Sequence, residues 1–392
     1  MSKVKNNRKK SQKSPKLASD ASVFGVVLAG GSGTRFWPKS RLKNPKQLCA
    51  LGGQDKAMLE VTLSRFTPLV APTRRMIVTH KDQLIATRKI AGAKCPVVIP
   101  EPEAKNTAPA IALAALAIEK MCESLAEDGS DPIMISMHAD HVITDLNEFN
   151  AVMVRAVTIA RNGWLTLLGV VPSFPETGYG YIERGQSLHL HPFNDTESAY
   201  KVAGFREKPD YETAKRYVDS GQFLWNSGLF VFPVRPLLAE LDRSLPKDMK
   251  ALRSCLKKSV TAGKNPFDQA KLEKVYPRLT KISIDEAVLE KSQNIAVVDA
   301  DFGWQDVGTW DALSKAFPAT DHSGNLIFGQ SVTIDTTNTI IDTDGPLVAT
   351  IGLQDMVVVH HKGAILVCPK SRAQDVKKIV EILAKAKHKD LL

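Results

Sequence analysis

Short apolar runs rich in Val, Ile and Leu punctuate the first half of the chain: "SVFGVVLAG" from Ser22, "RRMIVTH" from Arg74, "PVVIP" from Pro96, "DPIMISM" from Asp131 and "GWLTLLGVV" from Gly163. Each is too short for a helix and stops at a turn-forming or charged residue, as a strand buried on both faces does. Helical patterns separate them. The clearest is "TAPAIALAALAIEKMCESLAED", where Thr107 is expected to cap, Pro109 suits the first turn and an Ala/Leu/Ile body follows. Strands alternating with helices predict a doubly wound α/β sheet, whose ligands bind at the carboxyl ends of the strands. From about Ser323 the pattern changes to short Val/Ile/Thr strands separated by Asp, Asn and Gly, closed by the helical "SRAQDVKKIVEILAKAK". A small β-rich appendage is expected there, a solenoid or a sandwich.

A chain of 392 residues exceeds one ordinary core. The division expected is a basic tail over 1–22, an α/β domain over 23–320 and the β-rich part over 321–392. The tail carries most of the formal charge of +10, through seven Lys or Arg in "MSKVKNNRKKSQKSPK". With few apolar residues to bury, it is read as a disordered, solvated segment. The core shows no aromatic and basic module for nucleic acid. No apolar run approaches the ~20 residues of a membrane span, and the first residues lack a secretory signal, so a cytoplasmic protein is expected. The five cysteines lack metal-ligand spacing and are read as reduced thiols.

Unusual residues cluster after the first strand. "VVLAGGSGTRFWPKSRLKNPKQL" is not a P-loop, having no Gly-Lys-Ser/Thr, nor a dinucleotide fingerprint, having Phe36 where the last glycine belongs. Gly30, Gly31 and Gly33 nevertheless let backbone N–H groups approach a phosphate, and Arg35, Lys39 and Lys46 are candidates to flank it. Pro38 and Pro45 are expected to keep the basic segment extended.

Further along, "HADHVITD" places Asp140 at the end of a strand, where a carboxylate suits a hard cation; its flanking His138 and His141 leave zinc as a weaker option. "DFGWQDVGTW" offers Asp306 as a second carboxylate, with Trp304 and Trp310 as core aromatics. "AGFREKPD" holds Glu207 and Lys208, fit for sugar hydroxyls and a sugar phosphate or else a surface ion pair. Asn226 in "FLWNSGLFVF" and Glu183 in "GYGYIERG" are further polar candidates, whereas Asp285 in "ISIDEAVLE" reads as a helix N-cap.

Together, "LAGGSGTRFWPKSRLKNPKQL", "EPEAKNTAPAIALAA", "HADHVI", "GYGYIE", "FREKPD", "WNSGLFVF", "SIDEAVLE" and "WQDVGTW" resemble, in order, the sugar-nucleotidyltransferases, and closely the mannose-1-phosphate guanylyltransferases. The resemblance implies a Rossmann-like, GT-A-like α/β mixed sheet with a small β-helix-like C-terminal domain. It implies transfer of GMP from GTP to mannose 1-phosphate with Mg2+, giving GDP-mannose and pyrophosphate. Leu28, Ala29, Gly30, Gly31, Gly33, Thr34 and Arg35 would meet the nucleotide, with Asn106, Thr107 and Asp140. Lys46 would lie near the transferred phosphate, and Asp140 and Asp306 would hold the metal. Gly180, Glu183, Glu207, Lys208, Asn226 and Asp285 would take the sugar phosphate.

No nucleic acid or membrane partner is expected, and a homodimer is left open. Longer relatives continue into an isomerase domain; this chain stops at Leu392, so isomerase activity is not expected. Glu286 stands where the family commonly has an aromatic residue. Other readings stay open: the same fold acting on glucose 1-phosphate with dTTP or UTP, and a non-catalytic binding protein.

Overall fold

The computed structural model describes residues 22–31, 33–125, 130–188, 199–260, 263–386 and 391–392. The predicted tail falls almost wholly outside them. In chain order the strands of the first part are β1 (Val23–Ala29), β2 (Arg75–His80), β3 (Val97–Glu101), β4 (Ile133–His138), β5 (His141–Ile143), β6 (Leu165–Val170), β7 (Gly180–Ser187), β8 (Ala199–Glu207), β9 (Phe223–Pro233), β10 (Ile295–Ala300) and β11 (Trp304–Asp306). Nine of them form one sheet in the order β3-β2-β1-β4-β9-β6-β10-β8-β7, leaving β5 and β11 to pair with each other. β1 runs parallel to β2 and β4, and β2 to β3, while β9 is antiparallel to β4, β6 and β7. The sheet is therefore mixed.

Around β1 both faces are covered, which is why that strand is buried at every position, whereas β7 and β8 at the sheet's edge carry exposed polar residues. Phe24, Val26 and Leu28 of β1 pack beneath the helices Thr107–Leu125 and Val234–Ser244. The alternate residues Val23, Val27 and Ala29 pack with the helices Met58–Ser64 and Leu146–Arg161. No helix among the described residues is long and apolar enough to cross a membrane. None of the five cysteines forms a disulfide.

The C-terminal strands are β12 (Leu326–Phe328), β13 (Ser331–Ile334), β14 (Ile340–Thr343), β15 (Val348–Ile351), β16 (Met356–His361) and β17 (Ala364–Pro369). β12, β14 and β16 stack in parallel in one sheet, and β13 and β15 in a second. Parallel stacking of successive turns decides for the solenoid over the sandwich. Left-handed Asp335, Asn338 and Asp355 turn its corners, and buried Asn325 bonds Thr336 O and Asp321 at the core. Its interior also takes in Phe36, Trp37 and Trp310 from the first part. The glycine-rich loop after β1 thus rests directly on the β-solenoid.

Candidate active site

The carboxyl ends of β1 and β4 and the amino-terminal half of the antiparallel β9 open on a cleft with two lobes. One, of about 310 Å³, is lined by Leu28, Ala29, Gly30 and Gly31 from β1 and its loop, by Glu101, and by Asn106 and Thr107. The other, of about 440 Å³, is lined by Gly180, Glu207, Lys208, Asn226, Asp285 and Asp306. Asn106, Thr107, His138 and Asp140 belong to both, so Asp140 stands on the ridge between them.

Asp140 and Asp306 meet through the smallest sheet among the described residues. β5 and β11 pair antiparallel over three residues each, with Asp306 opposite His141 and therefore beside Asp140. Burial opposes ionisation of Asp140, but the Lys46 ammonium, 3.0 Å from its Oδ2, overrides this and holds the carboxyl well below the usual range. At Asp306, burial and then the charge of Asp140 push the carboxyl up. Two oxygen donors that repel each other across a polar cleft fit a divalent cation. No group of three or more candidate metal ligands occurs among the described residues.

Lys46 is itself 3% exposed. It is aimed at the ridge because the loop closes on itself at Gly33, whose left-handed φ of 57° excludes most side chains. A Cβ there would stand 2.5 Å from Lys46 Cβ and 2.7 Å from its backbone nitrogen. Gly33 is thus the neck of the loop rather than part of the cleft wall, and neither Thr34 nor Arg35 lines a lobe. Arg35 lies at the rim, its guanidinium against Gly308 and donating to Gln374 at 3.2 Å. Lys39 does not flank the cleft as expected: its ammonium bonds both oxygens of Asp342 in the β-solenoid, at 2.6 and 2.8 Å. Nor is the basic segment extended, since it folds back through 3-10 turns at Thr34–Phe36 and Lys46–Leu48.

In the larger lobe, β6 and β9 slip register around Leu168, which faces Ser227, Gly228 and Leu229. This bulge turns Asn226 into the cleft, where its side-chain amide donates to Asp285 at 2.8 Å. Asp285 is not an N-cap. It begins a short π-helix, Asp285–Leu289, and its carboxyl, driven chiefly by burial and also by the charge of Glu207, is pushed up to about 6. Capping falls to Ser283 and Glu286, which bond each other reciprocally, giving Glu286 a structural task. Lys208, with left-handed φ, projects beside Glu207 and contacts its carboxylate. Among the sugar-side candidates, Glu183 is not brought in. It lies on β7 over Gly204, beside Arg206 and outside both lobes.

Two further expectations change. Thr107 is the first helical residue rather than the cap; its hydroxyl accepts from Ile284 N, while Asn106 Oδ1 accepts from Thr107 N. His141 is a buried neutral acceptor, its Nδ1 taking the Trp304 indole N–H at 3.2 Å, which removes that nitrogen as a zinc ligand. Trp304 and Trp310 are core aromatics.

The residue passed over in sequence is Glu101. It ends β3 at the floor of the smaller lobe, with Oε2 near Gly30 and Oε1 accepting from the buried Tyr276 hydroxyl. Burial pushes its carboxyl up to about 7, against the pull of that hydrogen bond. Its place at a strand's carboxyl end was the available signal.

The nucleotidyl transferase family model matches residues 24–323, and that of the MannoseP isomerase/GMP-like beta-helix domain matches 329–383. The mannose-1-phosphate guanylyltransferase of Escherichia coli K12 is 37% identical over 374 residues, covering 94% of this chain and 75% of its own. This chain belongs to the mannose-1-phosphate guanylyltransferase family. A family member from Klebsiella pneumoniae is 37% identical, covering 92% of this chain and 74% of its own. Among solved structures, a Thermus thermophilus protein described as mannose-1-phosphate geranyltransferase superposes with a TM-score of 0.78 at 33% identity, over 93% of this chain and 99% of that one.

Proposed function

We propose that the chain transfers GMP from GTP to mannose 1-phosphate, releasing GDP-mannose and pyrophosphate, with Mg2+ as the divalent cation. The observation that carries this is the ridge at Asp140: two lobes, one glycine-walled and one polar, meet at paired carboxylates with a buried lysine between them and the loop. The smaller lobe suits the nucleotide. Gly30 and Gly31 give the phosphates access to backbone N–H groups. Glu101 is the candidate for guanine: Tyr276 engages its Oε1, and when ionised its Oε2 can accept from the N1–H and exocyclic amine of guanine, a donor pair that other bases lack.

The larger lobe suits the sugar phosphate, with Lys208 for its phosphate and Glu207, Asn226 and Asp285 as hydroxyl partners, while Gly180 keeps the wall low. Glu183 is not assigned a substrate contact.

Mannose 1-phosphate is already anionic, so in-line attack on the α-phosphorus needs neither a protein nucleophile nor a strong base. The chain's task is to align two polyanions and offset their repulsion. Each unit charge placed ~4 Å from a phosphate contributes about 4 kcal/mol at an effective dielectric near 20. Lys46 is buried and directed at the ridge for this purpose, and Arg35 serves from the rim. Asp140 and Asp306 would hold the cation, which supplies charge neutralisation at the reacting phosphate.

Pyrophosphate release from purified protein, measured with four nucleoside triphosphates against several sugar 1-phosphates, tests the reading. Preference for GTP with mannose 1-phosphate is expected. Preference for dTTP or UTP with glucose 1-phosphate would replace it.

A further inference from the structure

From Gly33 to Lys46 the loop has little regular structure of its own, and its outer end is fastened to the β-solenoid. Inside the loop, Ser40 Oγ donates to Gly33 O at 2.6 Å and Cys49 Sγ donates to Lys39 O at 3.3 Å. Lys39 and Ser40 are therefore tied on one side to the glycine neck and on the other to the segment that begins at Lys46. Displacing Lys39 displaces both ends. Its side chain is pinned by Asp342, which is 3% exposed, through two bonds from one ammonium. Trp37 Nε1 donating to Leu391 O and Arg41 donating to His361 O and Lys362 O seat the same stretch.

We propose that the Lys39–Asp342 ion pair is a positioning device by which the C-terminal β-domain holds the phosphate loop in register with Asp140. Neither residue touches substrate. The pair acts through Gly33 and Lys46, and the inference rests on the reading of this loop as the seat of the GTP triphosphate. An exposed ion pair contributes little to stability or position. One with a partner this buried behaves differently, because removing one member leaves the other charge uncompensated and moves whatever backbone carries it. Lys39 carries the loop, so its release falls on the triphosphate. The larger lobe shares Asp140 with the smaller one, but its far wall, with Gly180, Glu207, Asn226 and Asp285, comes from β7, β8, β9 and the π-helix and is left in place.

Steady-state kinetics with both substrates on Asp342→Asn, Asp342→Glu and Lys39→Met tests this, with thermal melting alongside. For Asp342→Asn and Lys39→Met the KM for GTP is expected to rise about tenfold and kcat to fall severalfold, with the KM for mannose 1-phosphate within twofold and melting within a few degrees of wild type. Asp342→Glu is expected to recover part of the GTP term. GTP constants within twofold of wild type for both Asp342→Asn and Lys39→Met would overturn the inference, and so would equal rises in both KM values. If Asp342→Asn does not fold, Lys39→Met carries the same test. Wild-type protein that fails to turn over GTP would overturn the functional reading instead.

Discussion

Asp306 sits directly across a two-strand ribbon from His141, and this places its carboxylate beside Asp140 although most of the α/β domain separates them in sequence. If the two act as one cation site, neither is dispensable and their effects do not add. Asp140→Asn and Asp306→Asn should each lower kcat/KM by about 10³-fold, and the double variant should lose little more, as groups acting as a unit do. Steady-state rates over a Mg2+ titration provide the check.

Glu101 makes base choice testable. In Glu101→Gln one carboxylate oxygen becomes an NH2 that faces the donor edge of guanine. The site should lose roughly 10²- to 10³-fold in kcat/KM for GTP, with discrimination against ATP falling in proportion. Competition kinetics with both nucleotides would show it; unchanged selectivity would remove Glu101 from base recognition.

Glu101 also sets a pH dependence of stability. Its folded carboxyl lies near 7 against an ordinary 4.5, and that of Asp285 near 6 against 3.8. Both are raised, so the stability they contribute is complete below about pH 4 and is lost as pH rises through about 6 to 7. Asp140, held low, acts in the opposite sense and loses its contribution only as pH falls below its ordinary value. Glu101→Gln should therefore be more stable than wild type at pH 7.5 by about 2 kcal/mol, with the difference shrinking at pH 5. Urea unfolding at the two pH values measures it.

The neck at Gly33 can be tested by adding a methyl group. Gly33→Ala puts a Cβ on the Lys46 backbone at a left-handed φ, so the loop must open. Activity should fall about 100-fold while melting shifts by only a few degrees, because the loop lies at the edge of the core. Activity and melting on one preparation separate the two effects.

Lys208 should divide the substrates. Lys208→Met is expected to raise the KM for mannose 1-phosphate by about 10- to 100-fold and leave that for GTP within twofold, since it lines only the larger lobe.

Much of this architecture was readable before any coordinates. Strands β1 to β4 announce themselves because burial on both faces makes most of their positions apolar, and the glycines after β1 mark a backbone that must approach something closely. The β5 and β11 ribbon was not readable, since three-residue strands carry no period and exist only because the tertiary fold pairs them. Side-chain direction was equally hidden. Lys39 and Lys46 belong to one basic run, yet the closure at Gly33 sends one to the solenoid and the other to the cleft. Glu183 looked like a sugar ligand and Glu101 was passed over, because a one-residue choice of strand face decides between cleft and surface. Asp285 reads as a cap from its neighbours; the bulge at Gly228 that brings Asn226 to it depends on pairing with β6.

The most direct test is a crystal grown with GTP and Mn2+, with data collected at the manganese absorption edge. The account predicts one anomalous peak within bonding distance of both Asp140 and Asp306, next to the α-phosphate and with Lys46 turned toward the triphosphate. A peak bound away from either carboxylate, or GTP seated with its phosphates in the larger lobe, would contradict it.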